Sequence, residues 1–226
     1  MKKNNILIVV AHSDDETIGM GGTIKRHVNH EDNVFVISMT DGVSSRVNTS
    51  NIQISSRLEA SKKASLLLGF KWEKTLNFLD NSLDTYPILK IIKEIEDVKS
   101  KINPNIVYTH SFADLNIDHK IVSNAVLTAF RPMPNENCQE IRLFEVSSST
   151  DYGYKNVTGK FEPNLFINIE DTWNDKLNAL KFYEEEIKKY PHSRSYKGIE
   201  NLAKVRGNQV GLNMAEAFEV IRKIEF

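Results

Sequence analysis

The segment Ala11-His12-Ser13-Asp14-Asp15-Glu16 places one imidazole and three carboxylates directly after the apolar run Ile6-Leu7-Ile8-Val9-Val10. An apolar run of this length reads as a buried strand that delivers its C-terminal end to a site. Ionisable groups crowded at the mouth of a buried strand are costly to desolvate unless a cation or a reaction uses them. The cluster is therefore read as half of a metal site. His12 and Asp15 also suit a helix N-terminus, since Ser and Asp are good caps, so the metal reading needs a second half elsewhere.

That half lies about a hundred residues later. The apolar triplet Ile106-Val107-Tyr108 is followed by Thr109-His110-Ser111-Phe112-Ala113-Asp114-Leu115-Asn116-Ile117-Asp118-His119. In an open parallel sheet the C-terminal ends of neighbouring strands line one crevice, so the two clusters can meet. His, His and Asp are common zinc ligands, and a catalytic site keeps one position for water. His12, Asp15 and His119 supply such a set. Asp14 then stands beside the water as general base, and the metal polarises a carbonyl, a combination suited to amide hydrolysis. An acidic pair after a first strand also suits a magnesium-binding receiver domain, but that reading leaves His12 and Asp118-His119 unused. His110 reads equally as a strand-end histidine bonded to backbone or as a substrate contact. Asp114 either bonds a substrate hydroxyl or caps its own turn.

The elements that must position these residues alternate. Strands are expected at 6–10, 33–39, 72–79 and 106–108, with helices between them. Gly19-Met20-Gly21-Gly22 lets a helix begin close to the first strand and continue through 23–30. Leu58, Ala60, Ala64, Leu67 and Leu68 recur at helical spacing within 55–68, and Gly69 is a good C-cap. Ile88, Ile91, Ile92, Ile95 and Val98 give an apolar face to 86–101, and 119–130 is a further helix. Beyond Gln139 the pattern shifts to strands at 141–148 and 165–169. A long charged helix is expected at 173–189, and helical pieces at 202–210 and 214–221. The fold class is α/β: a Rossmann-like, doubly wound, mostly parallel sheet with helices on both faces and C-terminal strand and helix additions, in one domain over 1–226.

Composition sets the background. The 226 residues are 40% hydrophobic and 26% charged, with a formal net charge of -1, which does not favour nucleic acid or an anionic membrane as partner. Cys138 is the only cysteine, so no intramolecular disulfide forms and a reducing, cytoplasmic setting is expected. No apolar stretch approaches the roughly 20 residues of a membrane span. A homo-oligomer is neither indicated nor excluded.

These residues together resemble the PIG-L (LmbE-like) family of zinc-dependent de-N-acetylases, whose AHPDDE motif is similar to Ala11-His12-Ser13-Asp14-Asp15-Glu16. Gly19 with Gly21-Gly22-Thr23 resembles the family's GxGGT segment, Thr40-Asp41-Gly42 its TDG turn and Arg57-Leu58-Glu59 its RxxE helix. Asp118-His119 resembles its DH ligand pair, and Arg206-Gly207 with Ala215-Glu216-Ala217-Phe218 its ending. The resemblance implies one zinc on His12, Asp15 and His119, with other divalent metals also accommodated, and Asp14 as base held ionised by Arg57. It implies a small N-acetylated amino sugar or sugar conjugate as substrate. Ser13 replaces the family's usual Pro, and Asn116 stands where many members carry a second His. Asn donates a hydrogen bond but transfers no proton. The acid role then falls to Asp14 or to His192, in the loop Tyr190-Pro191-His192-Ser193-Arg194-Ser195, where Arg194 is a further substrate contact. Asp118 is expected to orient the site. Alternatives are a deacylase of a non-sugar N-acyl metabolite, a nucleotide-dependent transferase relying on the glycine run, and a protein that only binds metal or a partner.

Overall fold

The computed structural model describes residues 3–45 and 51–225. Its seven strands are β1 (Asn5–Val10), β2 (Asn33–Thr40), β3 (Lys71–Phe78), β4 (Ile106–His110), β5 (Glu140–Phe144), β6 (Leu165–Asn168) and β7 (Ala215–Lys223). The helices are α1 (Asp15–Asn29), α2 (Asn51–Leu68), α3 (Ile88–Ile102), α4 (Ile117–Ala129), the single turn α5 (Lys155–Thr158), α6 (Trp173–Leu180) and α7 (Tyr196–Asn208). One sheet runs in the order β3-β2-β1-β4-β5-β7-β6. β1 to β5 are parallel, while β7 runs antiparallel between β5 and β6. The chain is thus the expected doubly wound α/β sheet with C-terminal additions.

The alternation of β1 explains the two faces. Leu7 and Val9 join a core with Ile91, Ile95 and Val98 of α3 and Val122 and Val126 of α4. Ile6, Ile8 and Val10 face a second core with Ile18 and Ile24 of α1, Ala64 and Leu68 of α2, and Leu180 of α6. A strand buried on both faces must be apolar at every position, which is why β1 reads as an unbroken run. β3 follows β2 outward, and the chain then crosses back to lay β4 on the other side of β1. The order reverses between β1 and β4. At such a reversal the flanking loops diverge and leave a crevice at the strand C-termini.

Two expectations need correction. Residues 214–221 are not helical: Ala215–Lys223 is β7, paired with strands on both sides. Ala-Glu-Ala favours a helix locally, but ladder bonds to two neighbours override that preference. Residues 173–189 are not one helix. α6 ends at Leu180, and a 3-10 turn, Lys181–Tyr183, follows. The bend turns Tyr183 inward, where its hydroxyl donates to Glu16 Oε1 at 3.0 Å, and carries Glu186 to Arg57.

The glycine run has a packing role. α1 begins at Asp15 and is kinked at Met20 (φ -146°, ψ 25°). A Cβ on Gly19 would stand 2.5 Å from the Phe144 ring, and one on Gly22 2.8 Å from Ile169. These glycines let α1 lie directly on the sheet, and nothing about them marks a phosphate cradle.

Candidate metal centre and active site

β1, at the reversal, delivers His12 and Asp14 just ahead of α1, and Asp15 opens that helix. Asp15 Oδ2 accepts from the His12 backbone N–H at 3.0 Å, which folds the loop back on itself. The same oxygen lies 3.0 Å from His12 Nδ1 and 3.3 Å from His119 Nε2, and those two nitrogens are 3.3 Å apart. The triangle has edges of 3.0–3.3 Å. Three tetrahedral ligands on a zinc–ligand bond of 2.0–2.1 Å would be separated by about 3.3 Å. All three side chains are buried.

The far side of each ring supports the same reading. His12 Nε2 is 3.0 Å from Asp80 Oδ1, and His119 Nδ1 is 3.0 Å from Asp114 Oδ2. A carboxylate behind a ligating imidazole fixes its tautomer and makes the facing nitrogen a better donor. Burial alone would lower the His119 pKa, but the Asp15 and Asp114 charges outweigh it and raise the value to about 9. Burial likewise opposes ionisation of Asp15, yet His119 and His12 hold it well below the usual carboxylate range. The residues fit a divalent cation.

Asp14 faces the pocket beside this triangle. Its Oδ1 pairs with Arg57 Nη2 at 3.0 Å. Among the described residues its Oδ2 has no hydrogen-bond partner, and it is 3.7 Å from Arg194 Nη1. Burial pushes the Asp14 pKa up, while Arg57 pulls it back toward the ionised form. Arg57 is held by Glu186 at 2.7 Å on its other arm and by Ser13 at 3.4 Å. A cavity of about 180 Å³ opens here, lined by His12, Asp14, Asp80, Asn116, His119 and Arg194 among others, with no aliphatic or aromatic hydrocarbon side chain in its wall among the described residues.

Asn116 caps α4, accepting from the Asp118 amide at 2.8 Å and donating to Asn81 at 3.1 Å. Asp118 accepts from the amides of Asn81 (2.8 Å) and Leu83 (3.0 Å), so it pins the β3–α3 loop that carries Asp80 to His12. Three expected contacts fall outside the pocket wall. His110 is fully buried, accepts from the Ala11 amide at 2.9 Å and stacks on His119 at 3.9 Å. Asp114 is fully buried and caps the Asn116 amide at 2.8 Å. Neither side chain is placed to meet substrate. His192 is absent from the lining; it accepts from the Arg194 amide at 3.1 Å and meets the edge of Tyr152. Sequence reasoning missed Asp80, Asn81 and Glu186. Asp80-Asn81 follow the end of β3 much as the other clusters follow theirs, and that position was the available signal. Glu186 lay hidden in a segment read as helix.

Fold and site define a doubly wound α/β protein with a His/Asp cluster able to hold a metal ion at its strand C-termini, flanked by a carboxylate–arginine pair. The family model for PIG-L, GlcNAc-PI de-N-acetylase, matches residues 7–130, and the chain belongs to that family. It is 28% identical over 194 residues to the diacetylchitobiose deacetylase of Thermococcus kodakarensis, covering 80% of this chain and 70% of that one. It is 26% identical over 185 residues to a probable N-acetyl-alpha-D-glucosaminyl L-malate deacetylase 2 of Bacillus cereus, covering 79% and 81%. The N,N'-diacetylchitobiose deacetylase of Pyrococcus horikoshii, solved with its inhibitor MPG, superposes with a TM-score of 0.77 at 22% identity, over 96% of this chain and 83% of that one.

Proposed function

We propose that this chain is a zinc-dependent N-deacetylase that hydrolyses the acetamide of an N-acetylated amino sugar or sugar conjugate to free amine and acetate. The observation that carries the reading is the Oδ2 of buried Asp14, unbonded among the described residues, beside the His12–Asp15–His119 triangle in a pocket whose described lining is polar. His12 Nδ1, Asp15 Oδ2 and His119 Nε2 would hold the zinc, and the same donors accept other divalent metals. The bound metal supplies Lewis-acid polarisation of the acyl oxygen.

The protein's own groups do the rest. Asp14 Oδ2 takes a proton from the attacking water, and Arg57 keeps that carboxylate ionised for the task. The C–N bond breaks as Asp14 returns the proton to the leaving nitrogen. Asn116 hydrogen-bonds and moves no proton. Arg194 presents a fixed positive charge on the Asp14 side of the pocket and is proposed to contact substrate. Ser45, Asp80 and Asn81 offer donors and acceptors to sugar hydroxyls. The polar wall favours a short acyl group and a hydrophilic ring over a long acyl chain. One catalytic domain in the cytoplasm belongs to the same reading, supported by the single sheet and by the buried, unpaired Cys138. Among the described residues no helix is long and apolar enough to cross a membrane.

The test is acetate release by the metal-loaded protein from free, disaccharide, lipid-, inositol- and nucleotide-linked N-acetyl sugars, with N-acetyl amino acids assayed beside them. Release from at least one, abolished by chelation and restored by zinc, is expected. Release only from N-acyl amino acids would replace the sugar reading with the non-sugar one.

A further inference from the structure

A second cavity, of about 420 Å³, lies toward the far end of α1 from the catalytic pocket. Arg26, in the last turn of α1, stands roughly 16 Å along the helix axis from Asp15 in the first. Cavities that hold small molecules run roughly 300–1,000 Å³. The walls carry two kinds of surface. Arg26 and His27 of α1, His30 just beyond it and Arg142 of β5 supply one; Leu165 and Ile167 of β6, with Leu212, supply the other. Among the described residues no carboxylate lines the cavity. The acids that pair with the basic groups stand outside the lining: Glu140 accepts from Arg142 Nη2 at 2.8 Å, and Asp32 lies 2.8 Å from His27 Nδ1.

The basic wall is held in place from behind. The Tyr108 hydroxyl is 2.8 Å from His27 Nε2 and accepts from Arg142 Nη1, so β4 fixes both side chains. Arg142 Nε is buried without a hydrogen-bond partner among the described residues, and so is Oγ1 of Thr23, a fully buried residue of the lining. Buried polar atoms without a partner are few in folded proteins and cost free energy until a bound group supplies one. The one side-chain hydrogen bond of Arg26 among the described residues is a long one, 3.4 Å, to the Asn168 carbonyl. Basic groups in a last helical turn also complement the helix dipole, which accounts for Arg26 and His27. It does not account for Arg142, which joins the same lining from the middle of a strand.

We propose that this cavity is a binding site for a phosphate monoester with an apolar body, separate from the catalytic pocket. The Arg26 guanidinium can set a fork of two N–H donors against an oxyanion. Arg142 adds a fixed positive charge, and only two of its five N–H groups are used by Tyr108 and Glu140. A phosphate monoester offers three oxygens in three directions, enough for both guanidinium groups and the His30 ring, whereas a carboxylate offers two in one plane. The ester group then lies along Leu165, Ile167 and Leu212. The site asks nothing of His12, Asp15 or His119, so it stands or falls apart from the deacetylase reading.

The test is calorimetric titration of the full chain with phenyl phosphate, glucose 6-phosphate, inorganic phosphate and phenol. One phenyl phosphate per chain is expected, bound more tightly than the other two phosphates, with no binding of phenol at the same concentrations. Removal of metal with a chelator should leave the affinity unchanged. Arg26→Gln should weaken binding roughly tenfold or more, the loss expected for a charge-assisted hydrogen bond, while the ligand-free variant keeps the thermal midpoint of the parent. Arg142→Lys keeps the charge and loses the fork; it should weaken binding in the same direction, and it serves as the test where Arg26→Gln does not fold. No binding of phenyl phosphate at millimolar concentration would overturn the site. So would binding that chelation abolishes, or that both variants retain in full, since the anion would then lie elsewhere. Glucose 6-phosphate or inorganic phosphate binding as tightly as phenyl phosphate would overturn the assignment of the apolar wall.

Discussion

Asp114 Oδ2 stands 3.0 Å from His119 Nδ1, across the ring from the nitrogen that faces Asp15. The carboxylate is fully buried and also accepts from Thr150 Oγ1 at 2.7 Å and from the Ser149 hydroxyl. Burial would raise its pKa, but the His119 charge and these hydrogen bonds bring it down to about 2. Asp114 is thus an anion locked behind the imidazole proposed to face the metal. Asp114→Asn should lower metal affinity roughly 10–100-fold, read by competition with a chelating dye. An unchanged affinity would show that the ring needs no carboxylate behind it.

Asp14 is separable from the metal set because its free oxygen points to the pocket and its bonded one to Arg57. Asp14→Asn should keep one metal per chain and lose about 10²–10⁴-fold in kcat. Metal analysis and acetate release on the same preparation check both halves. Full activity would remove Asp14 from the mechanism.

Arg57 connects catalysis to stability. Its guanidinium neutralises Asp14 and Glu186 together inside the protein. Arg57→Gln removes the guanidinium that Asp14 and Glu186 share, and breaking a buried pair costs about 3–5 kcal/mol. Urea unfolding should show that loss along with a fall in activity. A variant as stable as the parent would mean that Glu186 and Asp14 are solvated in ways this geometry does not allow.

Gly19 tests the packing account of the glycine run. Gly19→Ala places a Cβ 2.5 Å from the Phe144 ring and 3.0 Å from the Glu145 carbonyl. Such overpacking costs typically about 1–3 kcal/mol, to be read from the urea midpoint. Unaltered stability, or nucleotide binding lost with the methyl group, would revive the phosphate-binding alternative.

Residues 11–16 and 109–119 announced both halves of the metal set because ionisable groups after apolar strands have few structural uses. Four of the parallel strands were legible for a related reason: β1, buried on both faces, is apolar nearly throughout, and β4 opens on the apolar triplet Ile106-Val107-Tyr108. Residues 214–221 misled because helix preference is local, while β7 exists only through its pairing with β5 and β6. Asp80 went unnoticed because one carboxylate after a strand is unremarkable until His12 stands 3.0 Å away.

The sequence by itself determined the α/β class and the two strand ends where His12, Asp14, Asp15 and His119 cluster. Residue type and periodicity carry that much, since each follows from what a single strand or helix must bury. Only the tertiary structure decided who faces whom. It placed Asp114 and His110 behind His119 rather than in the pocket, brought Arg194 and Glu186 to the Asp14 side and set Asp80 against the outer nitrogen of His12. Those relations depend on the reversal of strand order between β1 and β4, which brings together loops more than a hundred residues apart in the chain.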